Sequence, residues 1–255
     1  MDYQRLLSVT RRALQDYDMI DTGDKVAVAC SGGKDSVALC LAMKGLEKFY
    51  PKTFTMKAFT VDLGFHPGAD YEALQRFFEE RDIPFEIIRT EISDIVFGAR
   101  KEDNPCSLCA SLRKGALYTQ IVSEGYQKVC LGHHMEDVIE TFLLSLMYEG
   151  RFHTLEPYTR LSDTGLTVIR PFLYVHEKEI VHFAGLESLP VVKNPCPADG
   201  NTKREDMKNL LKQLNSEDHQ VSDRMFGAIK RSSLEGWDRI DEVAFNGRHK
   251  DYKAR

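Results

Sequence analysis

No stretch of the 255-residue sequence approaches the ~18 consecutive apolar residues that a membrane-crossing helix needs. The first residues, Met1-Asp2-Tyr3-Gln4-Arg5, lack the apolar core of an export signal. A cytoplasmic protein with no membrane partner is expected. Internal repeats and low-complexity tracts are missing too, so the chain reads as ordinary globular sequence. Nor is there an excess of positive charge: the net charge is −5, which argues against a general nucleic-acid binder. The charge is uneven, however. Residues 200–255 carry 12 Lys and Arg against 10 Asp and Glu, whereas residues 1–199 are net −7. The positive end permits an RNA partner without requiring one; a solvated helix surface explains the same residues.

What is present fits one α/β domain with an appendage. Apolar residues make up 42% and charged residues 29%, and the length suffices for a real core. Residues 3–18 have helical apolar spacing through Leu6, Leu7, Leu14 and Tyr17. Lys25–Cys30 reads as a buried strand, followed by a helix through Val37, Leu39, Leu41 and Leu46. Thr55–Leu63, Pro84–Arg89, Lys128–Leu131 and Thr167–Ile169 are further strands, with helices expected at Asp70–Arg81, Leu112–Glu124 and Glu136–Tyr148. Such alternation predicts a parallel sheet of about five strands covered by helices on both faces, with ligands beyond the carboxyl ends of the strands. The expected division is an N-terminal helix (1–20), a nucleotide domain (21–199) and a helical, mildly basic appendage (200–255) whose tail from 238 is polar and frayed.

Two common nucleotide motifs are absent. A Walker loop needs Gly and Ser/Thr where Val28 and Asp35 stand, and a dinucleotide fingerprint needs more glycines than Gly32 and Gly33. The segment Ser31-Gly32-Gly33-Lys34-Asp35-Ser36 nevertheless lies between a predicted strand and a predicted helix. Glycines let backbone approach an anion, a helix N-terminus offers free N–H groups, and Lys34, Ser31 and Ser36 add a cation and hydroxyls. An ordinary glycine turn is the plainer alternative. A second strand–helix junction carries Gly132-His133-His134-Met135-Glu136-Asp137. In the plainer reading its histidines cap the helix and its acids complement the helix dipole; in the sharper one its acids reach Mg²⁺.

The six cysteines divide by surroundings. Cys30, Cys40 and Cys130 lie in apolar strands or a helix and read as core thiols. Cys106-Ser107-Leu108-Cys109 is a C-x-x-C placed on a loop entering a helix, and Cys196 stands between Pro195 and Pro197. Spacing alone leaves four readings open: a zinc site with a borrowed histidine, a redox dithiol, an iron–sulfur cluster with one iron lacking a protein ligand, or plain thiols.

The segment Ser31–Ser36 resembles the signature of the PP-loop ATP-pyrophosphatases, and Gly132–Asp137 resembles that family's second ATP-side motif, with Glu136 where an Asp is usual. The block Cys106–Tyr118, the I-E-T after Asp137 and Ile169-Arg170-Pro171-Phe172-Leu173 are similar to the TtcA family of tRNA 2-thiocytidine synthetases, a likeness running from about residue 20 to residue 232. A second C-x-x-C common at the later cysteine site is absent, Asp199 and Gly200 standing in its place, and the C-terminal extension is short. The resemblance implies a PP-loop, HUP-like (Rossmann-like) fold and ATP-dependent replacement of the C2 oxygen of tRNA cytidine 32 by sulfur. It implies ATP and Mg²⁺ held by Ser31, Gly32, Gly33, Lys34, Asp35, Ser36, Val61, Gly132, His133 and His134, with Lys34, Asp35 and Asp137 catalytic. Asp137 is preferred over Glu136 for the metal, and Lys34 is expected to face solvent. The same resemblance implies a [4Fe–4S] cluster on Cys106, Cys109 and Cys196. With tRNA as the partner, the basic positions predict tRNA contacts at Arg113, Lys114, Lys203, Arg204 and Lys208. A cysteine desulfurase or other sulfur donor is expected, and a homodimer is left open. Rival readings are a lysidine synthetase, a 2-thiouridine synthetase, and a non-enzymatic nucleotide-binding iron–sulfur sensor.

Overall fold

The computed structural model describes residues 1–65, 69–99, 105–192, 196 and 203–237. The turn expected around Asn194–Pro197 is thus described only at Cys196, and residues 199, 200 and the tail from 238 lie outside the described residues, as does the stretch 100–104.

Six strands form one sheet: β1 (Asp24–Ala29), β2 (Phe54–Asp62), β3 (Phe85–Arg89), β4 (Lys128–Cys130), β5 (Tyr158–Arg160) and β6 (Thr167–Ile169), in the order β3-β2-β1-β4-β6-β5. All pairs are parallel except β5 with β6, where Tyr158 faces Ile169 across an antiparallel edge. The sheet therefore has one strand beyond the expected five. The missed strand β5 is three residues long, exposed or half-buried throughout, and has no apolar run to announce it.

Strand β1 shows how the layers form. Val26 and Val28 point into the larger core, Ala27 into a second core on the opposite face, as the two-residue period of a strand requires. The larger core also takes α1 (Tyr3–Asp16), α2 (Lys34–Glu47), α3 (Glu72–Glu79), α5 (Met135–Leu144) and α6 (Glu177–Leu186). The second is covered by α4 (Pro105–Ser123) through Leu117 and Ile121. Helix α2 is buried along almost its whole length, from Ser36 to Leu46, because its apolar residues run all round it.

Two helices follow, α7 (Lys203–Glu217) and α8 (Val221–Lys230). Met207, Leu211, Phe226 and Ile229 join the main core rather than forming their own. Trp237, 1% exposed, stands edge-on to both Tyr17 and Phe226.

Strand order reverses beside β1: β2 lies on one side and β4 on the other. The crevice beyond their carboxyl ends is the natural ligand position in such a sheet. The loops after β1 and β4 meet there. A Cβ on Gly132 would come within 3.3 Å of the Asp35 carbonyl and the Ser36 amide. Among the described residues no helix is long and apolar enough to cross a membrane.

Candidate nucleotide and thiol sites

The loop after β1 is built around Ser36. Its hydroxyl accepts from the Ser31 amide at 3.1 Å and donates to the Gly33 carbonyl at 2.9 Å. Ser36 is 6% exposed, so its hydroxyl is a strut of the loop and not the free donor expected from sequence. Ser31 is exposed, with its hydroxyl 3.2 Å from that of Ser36. Gly32 adopts φ +83°, a conformation that favours glycine, and Gly33 caps α2. The first amides of α2 have no intrahelical acceptor and open toward the crevice.

Lys34 does not face solvent freely. Its ammonium lies 3.1 Å from Asp35 Oδ2 and 3.1 Å from Glu177 Oε1, with the side chain 28% exposed. Burial disfavours the charge, but Asp35 and Glu177 outweigh it and raise the Lys34 pKa. The other Asp35 oxygen, Oδ1, is buried without a hydrogen-bond partner.

The loop after β4 contributes a second charged group. His134 is the N-cap of α5, and its amide donates to Asp137 Oδ2 at 3.0 Å. The capping reading thus holds for this pair. Glu136 is committed elsewhere. Its carboxylate accepts from the Glu177 amide at 2.8 Å, lies 2.9 Å from His176 Nδ1, and lies 3.1 Å from His134 Nδ1 without hydrogen-bond alignment. Burial opposes ionisation of Glu136, yet these partners hold its pKa far below the usual carboxylate range. Asp137 Oδ1 accepts from the Arg204 guanidinium at 3.4 Å. Burial pushes His133 down to about 4 despite Asp137, with Arg170, Arg204 and His134 adding to the effect; its Nδ1 is buried without a partner. Burial, and then the charge of Asp137, lifts Glu140 to about 7.

Sequence reasoning missed Glu177, His176 and Glu140. The first two lie where no helix was expected, and α6 opens with His176 instead of the Ser, Thr, Asp or Asn that signals an N-cap. Glu140 was visible only as part of the I-E-T segment. Val61, offered for adenine, stands near the end of β2 and packs toward the second core.

The cations expected to touch RNA divide. Arg113 and Lys114 are exposed on α4, one turn beyond Cys109. Lys203 pairs with Asp206 at 3.4 Å and lies over the Tyr148 ring. Arg204 and Lys208, though still partly exposed, bond residues of the crevice instead. Arg204 donates to Thr141 at 2.8 Å beside Asp137, and Lys208 bonds Glu177 Oε1 at 3.0 Å, the oxygen that Lys34 also holds.

Cys106 and Cys109 lie on the first turns of α4, which begins at Pro105, so the C-x-x-C is helical and not in a loop. Cys106 is exposed, Cys109 and Cys196 are half-buried, and Cys30, Cys40 and Cys130 are buried as expected. Burial raises the Cys109 pKa, Arg113 opposes this, and the nearby Cys196 and Cys106 raise it further. Cys109 thus lies within electrostatic reach of both its helix neighbour Cys106 and the sequence-distant Cys196. Among the described residues no group of three or more His, Cys, Asp or Glu is set to hold a single metal ion. A [4Fe–4S] cluster takes one thiolate at each of its irons, so three thiols can serve it without converging on one point.

A family model described as a PP-loop domain (ATP_bind_3) matches residues 6–214. The chain is 36% identical over 230 residues to the tRNA-cytidine(32) 2-sulfurtransferase of Geobacter metallireducens, covering 89% of each. It is 35% identical over 233 residues to the protein of that name from Legionella pneumophila, covering 89% of this chain and 81% of the other. Among solved structures it resembles the U34-tRNA thiolase NcsA of Methanococcus maripaludis, a structure with its [4Fe–4S] cluster, at TM-score 0.70 and 21% identity over 90% of this chain and 79% of that one.

Proposed function

Since the chain belongs to the tRNA-cytidine(32) 2-sulfurtransferase family of PP-loop proteins, we propose that it is an ATP-dependent enzyme that replaces the C2 oxygen of cytidine 32 in tRNA with sulfur. The observation that carries this reading is the presence in one chain of the Ser31–Ser36 phosphate loop and the three neighbouring thiols Cys106, Cys109 and Cys196. A lysidine synthetase would not need the thiols, and a nucleotide-binding sensor would not need the phosphate loop together with the Gly132–Asp137 element.

The chemistry follows from the leaving group. Oxide cannot leave a pyrimidine C2 unaided. Its oxygen attacks the α-phosphorus of ATP, forming a C2–O–P linkage and breaking the bond to pyrophosphate. Lys34 and the first amides of α2 stabilise the charge that grows on the departing pyrophosphate. Asp137 Oδ1 and the unpartnered Asp35 Oδ1 are the oxygens suited to Mg²⁺, directly or through its waters. Glu136 is the weaker candidate, since both of its oxygens already hold the turn into α6. His133, neutral at physiological pH, offers its unpartnered Nδ1 to the nucleotide without adding charge. Sulfide then forms the C2–S bond, the C2–O bond breaks, and the oxygen leaves with AMP. Cys106, Cys109 and Cys196 would hold a [4Fe–4S] cluster, which when bound supplies an iron free of protein thiolate for delivering sulfide. A cysteine desulfurase or similar donor supplies the sulfur in a cytoplasmic setting, and a flipped anticodon-loop base is the accessible target.

The test is thiolation of tRNA by protein purified without oxygen and supplied with ATP, Mg²⁺ and sulfide, read by mass spectrometry of nucleosides. The expected products are 2-thiocytidine, AMP and pyrophosphate. Formation of ADP and phosphate, or of no thiolated cytidine, would overturn the proposal.

A further inference from the structure

Helix α7 reaches the phosphate crevice with a cation of its own. Lys208 Nζ and Lys34 Nζ bond the same oxygen, Glu177 Oε1, at 3.0 and 3.1 Å. Two ammonium groups drawn onto one oxygen repel each other unless an anion lies between them. Here the carboxylate of Glu177 is that anion, at the mouth of a loop shaped for phosphate. The position of Glu177 is not adventitious. Its amide is fixed to Glu136, at the loop after β4, and its side chain is 24% exposed. The same helix places Arg204 beside Asp137, so α7 faces both halves of the ATP site.

Resting on the proposed ATP chemistry, we propose that Lys208 is a second pyrophosphate ligand, and that Glu177 occupies the place of a phosphoryl oxygen until ATP displaces it. A phosphoryl oxygen arriving at Lys34 and Lys208 takes over both bonds. It brings more negative charge than the carboxylate it replaces, which strengthens both charge-assisted contacts. The displaced Glu177 turns to solvent through its partly exposed side. Sequence alone put Lys208 on an RNA-binding face; its partner puts it on the leaving group. Occupancy of the crevice by pyrophosphate thereby also fastens α7, which ties the appendage to the stage of the adenylation reaction.

The experiment is calorimetric titration of cluster-containing full-length protein with magnesium pyrophosphate, and separately with AMP and with tRNA. Lys208→Met is expected to weaken pyrophosphate about tenfold or more, the loss of one charge-assisted contact, while AMP and tRNA affinities stay unchanged. Lys208→Arg, which keeps the charge, should recover most of the affinity. Glu177→Gln should bind pyrophosphate more tightly than wild type, since the competing charge is gone. Unaltered pyrophosphate affinity in Lys208→Met beside a clear loss in Lys34→Met would overturn the role of Lys208 and leave the phosphate loop standing. Unaltered affinity in both would overturn the ATP reading, and this inference with it. Weaker pyrophosphate binding in Glu177→Gln would overturn the placeholder role, and a loss of tRNA affinity alone in Lys208→Met would make the residue an RNA contact.

Discussion

Val192 closes over Gly32. Its amide donates to the Gly32 carbonyl at 3.0 Å, and its Cβ stands 2.7 Å from where a Cβ on residue 32 would be. The phosphate loop is thus fastened to the segment that leads, four residues later, to Cys196. A side chain at 32 would be penalised twice, by the contact and by φ +83°. Gly32→Ala is expected to cost ~1–3 kcal/mol in denaturant unfolding and to lose pyrophosphate release. Adding Val192→Gly should recover only the steric part. Full stability in Gly32→Ala would show that the loop can relax around the new methyl.

The acids of α5 have separable roles. Asp137→Ala should lower adenylation by at least ~10²-fold, the scale of losing a metal-orienting group or more. Glu136→Gln should act mainly on stability, because it weakens the bonds to the Glu177 amide and His176. Pyrophosphate release assays paired with thermal unfolding distinguish the two. A larger activity loss in Glu136→Gln would reverse the metal assignment.

Each of Cys106→Ser, Cys109→Ser and Cys196→Ser should abolish iron content and thiolation while keeping ATP affinity. Cys130→Ser should keep the iron and cost about 1–3 kcal/mol through a buried hydroxyl. Anaerobic iron and sulfide determination gives the first readout. Thiolation by iron-free wild type would instead indicate a persulfide relay.

Acid and base act on the ATP site with opposite sign. His133 is held near 4 against an ordinary 6.5, so its contribution to stability is present above about 6.5 and lost as pH falls toward 4. Glu140 is raised from 4.5 to about 7, so its contribution is present below about 4.5 and lost as pH rises through 7. Unfolding free energies of ligand-free protein at about pH 5 and about pH 7 should therefore rise less with pH in His133→Asn than in wild type, and more in Glu140→Gln. Identical slopes in all three proteins would remove these two groups from the account.

RNA affinity should reside in cations that have no inward partner. Arg113 and Lys114 are exposed beside the thiols. Reversing both to Glu should weaken tRNA binding and flatten its dependence on salt, since fewer counterions are released. Filter binding across salt concentrations checks this, and an unchanged slope would place the RNA elsewhere.

The sheet and the two ATP-side loops were legible because buried parallel strands are continuous apolar runs ended by glycine or polar turns. Lys25–Cys30 and Lys128–Leu131 are such runs, and their ends position Lys34 and Asp137. The cysteines were legible by contrast: three in apolar surroundings, three in polar ones. What stayed hidden depends on tertiary approach. Nothing local in Glu177 announces that it will meet Lys34 from 143 positions away. The same holds for Arg204 and Lys208, whose spacing on a polar helix is identical for a solvated face, an RNA face or a wall of the crevice.

Trp237 between Tyr17 and Phe226 carries a last consequence. Through these rings the segment after α8 is latched onto the end of α1. A shortened chain ending near residue 200 would not be a minimal ATP-binding fragment. It would bare the apolar flanks of α1 and α5 and lose Arg204 and Lys208 together. For anyone grafting this phosphate loop into another scaffold, the unit that must travel is the whole chain from Tyr3 to Trp237.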